Sequence, residues 1–267
     1  MNVVTLLNEK GGVGKTAIST HLAMGIAMRG FSVVLVDADP QGHATTSLGL
    51  EKSPGFYDLL VRGHHWKDVL KVISPDVYQH ENMEQNGKLY LCPSNVETRN
   101  ITNSVDDAFL VSKRLKELRS GVDFVVFDTS PTPSLLHGSI YMATSHMICP
   151  TRLETLSFDG LIESFQHRQA SNDYRVSQGM KAIHSLGVVP TMYQSVTSEH
   201  TDNLRELNDA LGLDVWPAIN GAIAWAETTR VGKAVWAYAP KSKAADQALG
   251  MVGEFFRRLS QLEEGAV

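Results

Sequence analysis

The sequence predicts an α/β fold, a mostly parallel twisted sheet flanked by helices on both faces. Three observations predict it. Short runs of consecutive apolar, often β-branched residues recur along the chain, as strands buried on both faces do. Segments of helical period separate those runs. The first two runs and the helical segment between them fit within residues 3–36, the size of one βαβ unit, and such a unit implies parallel pairing.

Residues 3–7 read as the first buried strand. Ile18, Leu22, Ile26 and Ala27 then recur at helical spacing until Gly30 stops the pattern, and residues 33–36 form the second strand. Residues 50–88 are less regular. Pro54-Gly55, Arg62-Gly63, Ser74-Pro75 and Asn86-Gly87 mark turns around short helical pieces such as 56–61. That stretch reads as a surface excursion, not a second domain.

Residues 89–91 give a short strand ending at Cys92-Pro93, and residues 106–118 a helix with Phe109, Leu110, Leu115 and Leu118 apolar. A strand over 124–127 runs into Asp128, and one over 146–149 ends at Pro150. Residues 186–189 form the next strand and 215–216 a short late one. Helices fit 158–169, 201–211 and 244–262. With no repeat, low-complexity tract or linker in view, residues 1–267 are expected to form a single domain.

The chain is 43% apolar and 20% charged, with a formal net charge of −5. Apolar content of that size excludes intrinsic disorder, and 267 residues suffice for one large core. Cys92 and Cys149 are too few for a disulfide framework, which suits a reducing, cytoplasmic setting. The N-terminus lacks the basic region of a signal peptide, and no apolar run approaches the roughly 18 residues that span a bilayer. Mild acidity argues against coating nucleic acid by bulk charge, while a local basic patch is compatible with it.

Lys10-Gly11-Gly12-Val13-Gly14-Lys15-Thr16 lies between the first strand and the first helix, the context a P-loop needs. Its glycines let backbone amides turn around phosphate oxygens, and the helix N-terminus adds its positive dipole end. Lys15 is expected to bridge the terminal phosphates and the Thr16 hydroxyl to ligate Mg²⁺; Ala17 follows on the first helical turn. Glu9 stands where the common pattern has its first glycine, and a second lysine, Lys10, opens the loop.

Residues 10–16 match K-G-G-x-G-K-[ST], the loop of the deviant-Walker ATPases of the ParA/MinD family, and the chain resembles that family, ParA-type members above all. The resemblance implies a P-loop NTPase fold, ATP and Mg²⁺ as cofactors, and an ATP-bound homodimer. In that dimer Lys10 is the signature lysine reaching the partner's phosphates, where an extra cation stabilises charge developing on the leaving phosphate. A lysine contacting its own nucleotide is the alternative.

Asp37-Ala38-Asp39-Pro40-Gln41 is similar to the family's switch I. On that match Asp39 positions the attacking water and supports the magnesium shell, and Asp37 orders the loop. His43 replaces the family's asparagine and reads as a surface loop residue. Asp128 closes an apolar strand in the form of a Walker B carboxylate, which holds the magnesium shell through water. Asp128-Thr129-Ser130-Pro131 resembles switch II with Ser130 replacing a proline. Looser resemblances cover residues 91–95, 156–161, 191–193 and 238–244. By resemblance, the adenine sits near the loops after the late strands, with Met192 and Pro217 as contacts.

The resemblance implies a positioning or partition ATPase. Its ATP-closed dimer binds DNA nonspecifically, and a ParB-like or cargo-adaptor protein triggers slow hydrolysis. Such a protein would be cytoplasmic and nucleoid-associated. Arg205, Arg230, Lys233, Lys241, Lys243, Arg257 and Arg258 are the candidate DNA contacts. A MinD-like membrane cycle is the alternative, hinted at by Phe255-Phe256-Arg257-Arg258-Leu259 and opposed by Glu263-Glu264. The cysteine placement does not suit a nitrogenase-type iron protein, nor the tyrosine-free C-terminus a tyrosine kinase.

Overall fold

A computed structural model describes residues 1–79, 87–118, 120–154 and 157–264. Asn86 and Leu156, named above in a turn and a family segment, lie outside them. β1 (Asn2–Leu6), α1 (Lys15–Met28) and β2 (Ser32–Ala38) form the expected opening unit. Short helices α2 (His43–Ser47), α3 (Gly55–Leu60) and α4 (Trp66–Val69) lead to β3 (Lys71–Ile73) and β4 (Lys88–Cys92). Then come α5 (Ile101–Ser104), α6 (Leu110–Leu115), β5 (Phe124–Thr129), α7 (Leu135–Ala143) and β6 (His146–Arg152). α8 (Ser157–Ser177), β7 (His184–Thr191), α9 (Ser198–Leu211), α10 (Ile223–Val231), α11 (Val235–Tyr238) and α12 (Lys243–Glu264) follow.

Among the described residues, seven strands form one sheet in the order β3-β4-β2-β5-β1-β6-β7. Every pair is parallel except β3 with β4. Alternation along the strands divides the core between the two faces. Val4, Leu6, Val33, Leu35 and Val126 pack with α1 and α12, while Val3, Val34, Val36, Val125 and Phe127 pack with α3, α6 and α7. Both faces are therefore dry, which is why the strands read as unbroken apolar runs. α1 lies so close to α12 that a Cβ at Gly25 would meet Val252 Cγ2 at 2.2 Å.

Four expectations need correction. The stretch 50–88 is not a surface excursion: Phe56, Leu59, Trp66, Val69, Ile73 and Tyr78 are buried, and β3 extends the sheet. The helix expected over 106–118 begins at Leu110, because the Asp107 carboxylate accepts from Phe109 N at 2.9 Å and holds the chain in a turn first. β6 runs through Pro150 to Arg152. The last pair between β1 and β6 is Leu6 with Ile148, so the proline needs no N–H on that side. Val215 makes only an isolated bridge to Val188 and no strand.

Candidate functional site

From β1 the chain crosses to β2 on one side of it, and β6 pairs with β1 on the other. Crevices at the carboxyl ends of strands form at such a switch point. Here a cleft of about 770 Å³ is lined by Gly11, Gly12, Val13, Gly14, Lys15, Thr16 and Ala17 from the loop after β1, by Asp39, Pro40, Gln41 and His43 after β2, and by Thr129 through Thr132 after β5.

Gly14 precedes α1 with φ 89°, a conformation that costs a residue with a Cβ but not glycine. Among the described residues no side chain caps the first turn of α1, so its leading amides are open to an anion. Lys15 is 7% exposed; its Nζ donates to Asn8 O at 2.7 Å and Lys10 O at 3.0 Å. Burial lowers its pKa, opposed by the charges of Asp128 and Asp39. Lys10 donates its backbone N–H to Asn8 Oδ1 at 2.8 Å and is not among the residues lining the cleft.

Thr16 Oγ1 donates to Asp128 Oδ2 at 2.8 Å. Asp128 is fully buried, and its Oδ1 has no hydrogen-bond partner among the described residues. Burial first, then the charge of Asp37, raises the Asp128 pKa. An orphaned carboxylate oxygen in a dry, acid-rich site beside a hydroxyl suits a hard divalent cation. The donor set therefore fits Mg²⁺, with Thr16, Asp39 and Asp128 as the side chains that would hold it, directly or through water.

Asp39 is 8% exposed, and its Oδ1 accepts from Gln41 N at 2.8 Å, which folds the loop after β2. Asp37 is held apart from the cleft: its Oδ2 accepts from Thr45 N at 2.8 Å and Thr45 Oγ1 at 2.7 Å. That supports its expected part in ordering the loop. His43, read as a surface loop residue, is exposed and lines the cleft.

Several residues here escaped sequence reasoning. Asn8 Nδ2 donates to Pro150 O at 2.9 Å, so this buried amide ties the start of the loop to β6. Ser94 Oγ donates to Asp39 O at 2.8 Å, fastening the loop after β4 to the loop after β2. His137, in the first turn of α7, contacts Ser130 O at 3.1 Å and Ser134 Oγ at 3.0 Å. It thereby braces the segment where serine replaces the family's proline. An Asn next to a strand end and a Pro-Ser-Asn turn were the available signals.

A second cleft of about 560 Å³ adjoins the first, lined by Gly14, Ala17, Ile18, Met192, Asn220 and Trp225 among others. Met192 borders both clefts and carries φ 54°, the one positive φ outside glycine among the described residues. Pro217 is exposed and lines neither cleft, so its position does not match the contact expected of it; Ile219 and Asn220 stand in the wall instead.

The candidate DNA contacts separate. Arg258 is buried: it donates to Leu186 O, Leu213 O and Val215 O and pairs with Glu254. Its position is structural. Arg257 pairs with Glu254, Arg205 with Asp202, and Lys233 with Asp76 at 3.8 Å. Arg230, Lys241 and Lys243 make no ion pair among the described residues.

A family model described as an AAA domain matches residues 1–176. The sporulation initiation inhibitor protein Soj of Bacillus subtilis is 26% identical over 259 residues, 94% of this chain and 97% of its own. Apo McdA of Cyanothece superposes with a TM-score of 0.78 at 18% identity, over 96% of this chain and 99% of that one. The septum site-determining protein MinD of Pyrococcus horikoshii, solved with Mg-ADP, gives 0.73 at 18% identity over 95% of each. At those identities the two structures attest the fold. The chain belongs to the AAA domain family and, within it, to the ParA/MinD group of P-loop ATPases.

Proposed function

We propose that this chain binds Mg-ATP in the paired clefts, closes on it as a homodimer, and hydrolyses it slowly to time the positioning or partition of a cargo. One observation carries the nucleotide reading. Beneath an amide-lined loop, Thr16 is bonded to a buried Asp128 whose other oxygen lacks a partner. Gly11 through Ala17 would wrap the phosphates and Lys15 would move from the Asn8 and Lys10 carbonyls onto them. The second cleft would take the base, with Met192 at its edge. Magnesium, when bound, would neutralise phosphate charge. Asp39 would orient the attacking water.

The position of Lys10 outside its own cleft supports the trans assignment over the cis one, which makes the dimer part of catalysis. Nonspecific DNA is the proposed track, met by Arg230, Lys241 and Lys243, and a ParB-like or cargo-adaptor protein the proposed activator. The setting is then cytoplasmic and nucleoid-associated, and residues 1–267 act as one ATPase domain. A membrane cycle is disfavoured by α12: Met251, Val252, Phe255 and Leu259 already lie in the core. Among the described residues no helix is long and apolar enough to cross a membrane.

Mg-ATP binding and phosphate release test the reading. Wild type should bind ATP and release phosphate only with magnesium, and Lys15→Ala should do neither. Nucleotide binding by Lys15→Ala at wild-type affinity would remove the assignment.

A further inference from the structure

Sheet order fixes how a nucleotide lies along this cleft. The second cleft, on the β6–β7 side of the phosphate loop, takes the base under the reading above. The phosphates then extend past β1 toward β5 and β2, and the terminal one lies furthest toward β4. The loop after β4 closes that end of the larger cleft through Thr98, Arg99 and Thr102. Among the described residues, Lys15 and Arg99 are the two Lys or Arg residues in its lining. β4 and β1 stand three strand spacings apart, about 14 Å, so Arg99 enters the lining from the β4 side and Lys15 from the β1 side.

The backbone of Arg99 is fixed and its side chain is not. It sits on a 3₁₀ turn over Val96–Asn100, where Asn95 Oδ1 accepts from Glu97 N at 2.9 Å. Ser94 and Thr98, both buried, lie 2.7 Å apart through their hydroxyls. Ser94 uses its only hydroxyl proton on Asp39 O, so Thr98 must donate to Ser94. Ser94 N donates in turn to Thr45 Oγ1 at 3.1 Å, whose proton goes to Asp37. The turn carrying Arg99 is thus bonded to the loop carrying Asp39. Glu97, the nearest acid in sequence, is engaged by Arg62. Arg99 itself is exposed and makes no hydrogen bond, ion pair or ring contact among the described residues.

We propose that Arg99 contacts the terminal phosphate of the bound nucleoside triphosphate and so distinguishes the triphosphate from the diphosphate. The inference rests on the nucleotide reading of the cleft. A guanidinium fork matches two phosphate oxygens at once, and a cation at that end meets charge that the diphosphate lacks. The bonded link to Asp39 means that a phosphate held by Arg99 also orders the residue that orients water.

Calorimetric titration of wild type, Arg99→Gln and Arg99→Lys with Mg-AMPPNP and with Mg-ADP tests it. Arg99→Gln should weaken AMPPNP binding about tenfold and ADP binding less than about threefold, with Arg99→Lys between. The melting temperature should not move, since the side chain has no partner to lose. An unchanged ratio of AMPPNP to ADP affinity would overturn the inference while leaving the nucleotide site intact. A lowered melting temperature with that ratio unchanged would overturn it in favour of a structural part. A wild type that binds neither nucleotide would sink the reading of the cleft, and this inference with it.

Discussion

Asp37 and Asp128 are register partners on β2 and β5, adjacent in the sheet and both fully buried. Burial raises both pKa values; two Thr45 hydrogen bonds oppose this at Asp37, and the charge of Asp37 adds to it at Asp128. Asp37 has its donors, and Asp128 keeps one oxygen unpartnered. Asp37 is thus spent on its loop, and under the proposed function Asp128 is the carboxylate left to meet a cation.

Asp128→Asn should therefore lose the magnesium effect and little else. In wild type, magnesium should add to the melting shift produced by ADP, since saturation at one hundred times Kd stabilises by about 2.7 kcal/mol. In Asp128→Asn, thermal melts with ADP should be the same with and without magnesium. A persisting magnesium increment would mean that the cation is held elsewhere.

Lys10→Ala should separate binding from closure. It should bind Mg-ATP close to wild-type affinity, since Lys10 does not line its own cleft, yet neither dimerise nor hydrolyse. Light scattering and phosphate release read both. A wild-type dimer from that variant would restore the cis assignment.

His21 predicts an acid-sensitive fold. Buried in α1, it touches Ala17 O through Nδ1 at 2.8 Å and accepts from Val235 N through Nε2 at 3.1 Å, an arrangement only the neutral ring satisfies. Burial lowers its pKa to about 4. The unfolded chain takes up the proton near 6.5 and the folded one near 4, so stability is full above 6.5 and falls as pH drops toward 4. The loss amounts to roughly 3 kcal/mol. His21→Leu should flatten the fall in melting temperature between pH 7 and 5. An equally steep fall in the variant would exonerate this residue, leaving the buried His146, also lowered to about 4, as the next to test.

Arg258 and Lys241 should behave in opposite ways. Arg258→Ala removes a buried guanidinium that donates to the Leu186, Leu213 and Val215 carbonyls and should destabilise by about 2–4 kcal/mol in chemical denaturation. Lys241→Glu with Lys243→Glu should leave stability alone and weaken DNA retention, with a shallower dependence on salt. Intact DNA binding by that double variant would move the track to another face.

The strands and the phosphate loop were legible because their signals are local. A run such as Phe124-Val125-Val126-Phe127-Asp128 carries its burial and its terminal carboxylate in consecutive positions. Thr16 was expected at a cation from the P-loop pattern and Asp128 from the apolar strand it closes, and the fold brings the two side chains to 2.8 Å. What escaped depends on contacts distant in sequence. Ser94 meets Asp39 across 55 positions, and Asn8 meets Pro150 across 142. β3 is three residues long and takes its partner from β4, so no periodicity could announce it. Arg258 was readable and misread: it lies three and seven positions after the buried Phe255 and Met251, on the inward face of α12.

The central claim is that a nucleoside triphosphate closes two copies of this chain around the loop at residues 10–16. Sedimentation velocity of Asp39→Ala tests it most directly, because that variant should hold ATP without turning it over. With Mg-ATP the variant should sediment as a dimer, and with Mg-ADP as a monomer. A monomer at saturating Mg-ATP would contradict the account.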